Sequence, residues 1–172
     1  MHRYKTWNYA APTTAPPAPV ATGTATKTML QLAPASGRQV EIISWGYLMS
    51  VPSASSGGQV ELLQTDVAAS GLTAAVAGGI YALQPGIPAS NLQLGAALTG
   101  YAPGTAVTEG TPVTTRSLDN DLIAASSVAA VINYAYQFVP DERPRVAANT
   151  FLRVRATMNT SMTMLCWIVW DE

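Results

Sequence analysis

Apolar side chains recur at every second position in short runs along most of this chain, and Gly, Pro, Asn and Ser clusters break the runs apart. A two-residue period puts alternate side chains on opposite faces of an extended backbone, so the pattern predicts β-strands and little helix. The runs are 26–32, 38–49, 59–65, 113–124, 129–139, 150–158 and 162–170. In 38–49, Val40, Ile42, Gly46 and Leu48 fall on one face and Ile43, Trp45, Tyr47 and Met49 on the other. Apolar residues on both faces predict a central strand covered on each side. In 129–139, Ile132, Tyr134, Tyr136 and Phe138 share a face.

The run 150–158 alternates most cleanly, with Leu152, Val154, Ala156 and Met158 inward and Arg153 and Arg155 outward. Asn159, Thr160 and Ser161 then turn the chain into 162–170, which is apolar on both faces, and the two runs are predicted to form a hairpin. That places the C-terminal end in a core strand, where truncation is expected to be damaging. The stretch 66–112 is rich in Ala and Gly and broken by Gly78-Gly79, Pro85-Gly86, Pro88 and Pro103-Gly104. Residues 66–77 suggest a short helix there, weakened by Gly71. Whether this region faces solvent or protein is left open.

The first 25 residues read differently. Pro12, Pro16, Pro17 and Pro19 stand among Ala and Thr, behind the aromatic residues Tyr4, Trp7 and Tyr9. Proline density favours an extended, unpaired backbone, whereas aromatics are scarce in disorder. Residues 1–25 are therefore expected to form an extended arm, with Tyr4, Trp7 and Tyr9 as anchors on a neighbouring subunit. Residues 26–172 form one domain. About eight strands at this spacing predict an all-β fold, an antiparallel two-sheet sandwich of jelly-roll type.

Composition narrows the function. Of 172 residues, 48% are hydrophobic and only 11% charged, with a net charge of −1. No basic excess supports a nucleic-acid groove, and no apolar run approaches the length needed to span a bilayer. One histidine, His2, and one cysteine, Cys166, cannot supply a zinc site, and the Asp119-Asn120-Asp121 stretch lacks the glycine and closing glutamate of a calcium loop. No cofactor or metal is expected. Cys166, between Leu165 and Trp167, reads as an inert core thiol.

The one dense charge cluster is 140–145, Pro-Asp-Glu-Arg-Pro-Arg. Adjacent carboxylates on a turn point apart, whereas glycoside hydrolysis needs two that face each other across a substrate. The cluster is read as a polar turn, with Arg143 and Arg145 as partner contacts. Arg153 and Arg155 are expected to pair with carboxylates such as Glu61, Asp119, Asp121, Asp171 or Glu172, within the chain or across an interface. Trp45, Trp167 and Trp170 are assigned to the core, leaving Trp7 for an external partner. No enzyme is predicted.

The runs RQVEIISWGYLM and VELLQTDVAA, the stretch YQFVPDERPRVAANTFLRVRAT and the terminal CWIVWDE resemble small virion proteins of tailed bacteriophages with high-GC hosts. The resemblance covers most of residues 26–172 and rests on overall texture. It implies a capsid decoration (cement) or related head protein that assembles in the host cytoplasm and ends on the capsid surface. It also implies a homo-oligomer, with a trimer favoured, bound to the major capsid protein. Other expectations are a tail, neck or baseplate subunit, or a carbohydrate- or receptor-binding sandwich.

Overall fold

The computed structural model describes residues 2–10, 16–51, 57–112, 114–125 and 130–172. Pro12, Val113, Ala129 and most of the loop at 53–58 lie outside the described residues. The strands are β1 (Arg3–Trp7), β2 (Val20–Ala21), β3 (Lys27–Leu32), β4 (Val40–Val51), β5 (Gly58–Thr65), β6 (Thr73–Ala74), β7 (Tyr81–Ala82), β8 (Gly100–Tyr101), β9 (Thr115–Ile123), β10 (Ala130–Gln137), β11 (Arg145–Val146), β12 (Phe151–Met158) and β13 (Thr163–Asp171). Two 3-10 turns, Ala77–Gly79 and Pro140–Glu142, are the helical elements among the described residues.

The strands form two antiparallel sheets packed as a sandwich, so the predicted fold class holds. The first sheet runs β10-β4-β13-β1-β7, with β11 on β4 and β2 on β13; the second runs β6-β8-β3-β12-β5-β9. Among the described residues, eight strands have five residues or more. Numbered one to eight along the chain, they are ordered 1-8-3-6 in the first sheet and 2-7-4-5 in the second. Nearly every step in sequence therefore crosses from one sheet to the other. Between the sheets lie Met29, Leu30, Leu32, Ile42, Trp45, Tyr47, Met49, Val60 and Leu62 from the first half of the chain. The inward faces of β12 and β13 complete the core with Leu152, Val154, Ala156 and Met158, and with Met164, Cys166, Ile168 and Trp170.

Several expectations need correction. β12 and β13 are not a hairpin: β12 pairs with β3 and β5, and β13 with β4, β1 and β2. The turn at 159–161 carries the chain across the core instead, which lets both runs bury an apolar face against each other. Ile42 joins Trp45, Tyr47 and Met49 in the core, not Leu48. The β4–β13 register slips between Val169 and Trp170, leaving Ile43 as the extra residue of a bulge. One extra residue reverses the facing of everything beyond it.

The expected arm is corrected at its start. Arg3–Trp7 is a strand inside the first sheet, hydrogen-bonded to β13 on one side and β7 on the other. Tyr4, Thr6 and Asn8 alternate inward and are buried. Arg3 holds Asp171 through two hydrogen bonds of 3.0 and 3.1 Å, and His2 and Glu172 exchange backbone bonds of 3.0 Å each. The prolines misdirected the expectation because they follow the strand without entering it.

Residues 66–112 form no helix at 66–77. Their strands β6 and β8 extend the edge of the second sheet and β7 joins the first, while stretches between them cross the outer face of the second sheet, where two polar side chains take up their backbone groups. Gln31 accepts from the Ala69 N–H (2.8 Å) and donates to the Leu98 carbonyl (2.6 Å). Arg153 donates to the carbonyls of Val67 and Glu109. Such tethers exclude the regular backbone pairing a helix needs. The segment then passes to the other sheet, where Tyr4 Oη donates to the Pro88 carbonyl (2.8 Å) and Thr6 Oγ1 to that of Gly79 (2.8 Å).

Candidate partner-binding surfaces

Parts of the 66–112 segment, around Val67, Ala69 and Glu109, lie over the outer face of the second sheet, whereas among the described residues the outer face of the first sheet is exposed at Leu48 and Val131. The outward positions of β10, of β4 from Ser44 to Ser50, and of β13 from Thr163 to Trp167 carry no charged side chain. Two of them are large and exposed, Leu48 at 44% and Val131 at 70%. Trp167 also lies on this face and not in the core, a correction to its assignment. Its indole covers Gly46, where an added Cβ would stand 2.7 Å from the ring and 2.5 Å from the Tyr134 carbonyl. Glycine is needed there because the ring lies against bare backbone.

Across the β1–β13 pairing, Trp7 stands opposite Trp167. Lys5 fills the space between them, with Nζ 4.6 Å from each ring centroid. Burial pushes the Lys5 ammonium pKa down, and the two ring faces hold its charge in compensation. Tyr9 packs on Trp7 at 5.8 Å and Tyr81 meets it edge-on at 4.9 Å. Trp7 and Tyr9 thus sit on the surface, half-buried in an aromatic strip of their own chain. Tyr4 is corrected outright. It is 1% exposed and stacked on Trp170 at 5.9 Å, so it is no partner contact. Lys5 and Trp167 were missed because the strip exists only once β1 lies beside β13.

Arg143 and Arg145 both reach Glu41, at 3.4 Å each. Arg143 is largely covered, with 16% of its side chain exposed, while Arg145 is 72% exposed and borders a shallow polar groove with Arg116, Thr114 and Thr150. Of the two, Arg145 is free to meet a partner. Two further arginines pair within the chain: Arg155 with Glu61 at 3.0 Å, and the fully buried Arg153 with Glu109 at 3.2 Å.

Inside the open side of the sandwich, between β9 and the first sheet, Asp119 accepts from Trp45 Nε1 (2.8 Å) and Tyr134 Oη (2.7 Å), and Asp121 accepts from Tyr47 Oη. The rings of Trp45, Tyr47 and Tyr134 pack mutually. The carboxylates are spent on phenols and an indole, and the cluster ties the β9 edge to the opposite sheet. Burial, and then the carboxylate hydrogen bonds, push both phenol pKa values well up. A free phenol titrates near 10. The contribution of Tyr47 is therefore intact below about pH 10 and lost above it, by up to about 1.4 kcal/mol per pH unit, because the unfolded phenol ionises first. Urea unfolding from neutral to strongly alkaline pH is expected to show this decline, and Tyr47→Phe is expected to flatten it.

Among the described residues no three His, Cys, Asp or Glu side chains group to hold a metal. Cys166 is fully buried and its thiol pKa is pushed up by burial. Comparison of the chain with protein-family models, with curated proteins and with solved structures returns no match.

Proposed function

We propose that this protein is a structural virion component, a decoration (cement) subunit that binds and stabilises a phage capsid shell. The observation that carries the reading is the outer face of the first sheet: broad, free of charge at its centre, and bearing Leu48, Val131 and Trp167. Exposed apolar surface of this kind marks protein docking more often than chemistry. The strand order supports the reading, since 1-8-3-6 against 2-7-4-5 reads as a jelly roll, two Greek keys wound together, an architecture shared by many capsid proteins. The partner in this reading is the major capsid protein, and contacts from several copies add by avidity. A trimer remains the favoured assembly for such a role.

The test is co-sedimentation of the purified chain with DNA-free shells of the proposed partner, a phage major capsid protein. Saturable binding is expected, reduced at least about tenfold (about 1.4 kcal/mol) by Leu48→Glu. Failure of the intact chain to sediment with shells would overturn the reading. A second reading, a carbohydrate- or receptor-binding sandwich, is favoured by one feature, the Tyr9-Trp7-Lys5-Trp167 strip, whose rings suit the apolar face of a sugar. Glycan-array binding abolished by Trp7→Ala would favour it.

A further inference from the structure

The sandwich has two long edge strands on the same open side, and they are built differently. β9, the edge of the second sheet, carries Arg116, Asp119 and Asp121 and is bent by a bulge where its register slips against Leu62 and Leu63. Charges and bulges are the usual guards against pairing with a foreign strand. β10, the edge of the first sheet, has neither: its sequence is Ala-Val-Ile-Asn-Tyr-Ala-Tyr-Gln, without charge or proline, and it pairs with β4 over eight consecutive positions with no slip. Val131 is 70% and Tyr136 40% exposed along it.

The facing of its backbone follows from one bond. Phe138 N–H donates to the Ile43 carbonyl at 2.9 Å, so Phe138 and, by alternation, Tyr136, Tyr134 and Ile132 turn their backbone groups toward β4. Val131, Asn133, Ala135 and Gln137 turn theirs away. Among the described residues no strand lies on that side of β10 and no hydrogen bond reaches those four backbones. An unguarded row of amide donors and acceptors is complementary to another extended strand and to little else.

We propose that β10 pairs with β10 of a second copy, antiparallel about Tyr134, joining two first sheets into one. Centring the two-fold there sets Val131 opposite Gln137 and Asn133 opposite Ala135, which uses all four outward-facing residues and makes about eight backbone hydrogen bonds. Antiparallel pairing of identical strands is self-complementary, and a neutral strand meets no like charge in its copy. The exposed Val131 of each copy then packs along the shared edge. The contact produces dimers, or pairs of larger rings, and does not depend on the capsid reading, so the two fail separately.

The test is sedimentation equilibrium of the full chain over a wide concentration range, with two variants. Asn133→Pro deletes one outward N–H and leaves the β4 ladder intact, a position where an edge strand tolerates proline. Val131→Lys guards the edge at a side chain already exposed, and decides the matter if the proline variant does not fold. The expected result is a concentration-dependent doubling of mass in the parent chain, with the dissociation constant raised at least about tenfold in each folded variant. A parent chain that stays monomeric overturns the proposal, including the case where the edge serves a strand of another protein. So does an assembly whose mass neither folded variant halves.

Discussion

Arg153→Met is expected to lower the stability of the folded chain by about 3–5 kcal/mol, read as a fall in urea midpoint without change of slope. The guanidinium is fully buried between β12 and the 66–112 cover, and burial depresses its pKa against the opposing pull of Glu109. It binds the Glu109 carboxylate and the carbonyls of Glu109 and Val67. Removing it strands a carboxylate that also accepts from Thr28 N–H (2.6 Å) and Thr28 Oγ1 (2.8 Å). The loss is thus mostly the cost of an uncompensated charge beside orphaned carbonyls, and little of it is the pair's own attraction. Glu109→Gln on the Arg153→Met background is expected to recover part of the loss. If the two losses simply add, the ion pair is not what holds the cover.

The second large effect falls at Asp119. Asp119→Ala is expected to cost about 2–6 kcal/mol, because two donors, the buried Trp45 indole and the Tyr134 phenol, lose their acceptor at about 1–3 kcal/mol each. Asp119→Asn keeps an acceptor oxygen and is expected to cost distinctly less. Adding Tyr134→Phe to Asp119→Ala removes one orphan and should return part of the stability, measured by the same urea titration. A loss below about 1 kcal/mol for Asp119→Ala would mean that water reaches the cluster and that the edge of β9 is not pinned by it.

How far the fold could be read from the chain depended on the range of the forces involved. The long strands show themselves through local alternation: Leu152, Val154, Ala156 and Met158 were placed inward and all are buried. What failed was decided by distant residues. The inversion at Ile43 arises from a slip against Val169 and Trp170, far along the chain. The outward expectation for Arg153 was right about the strand face and wrong about exposure, since the cover is held by Gln31 and Arg153 acting on backbone groups of another segment. β1 has the alternation, but with five residues the signal was outweighed by the prolines after it. The surface strip suffered the same fate, because Trp7 and Trp167 are neighbours only through pairing. At the charged turn, the sequence could not tell Arg145, 72% exposed, from Arg143, 16% exposed, because both reach for the same distant Glu41.

The segment laid over the second sheet gives this small molecule a back and a front. A docking contact confined to the bare side would give every bound copy one orientation, with the dressed side turned away.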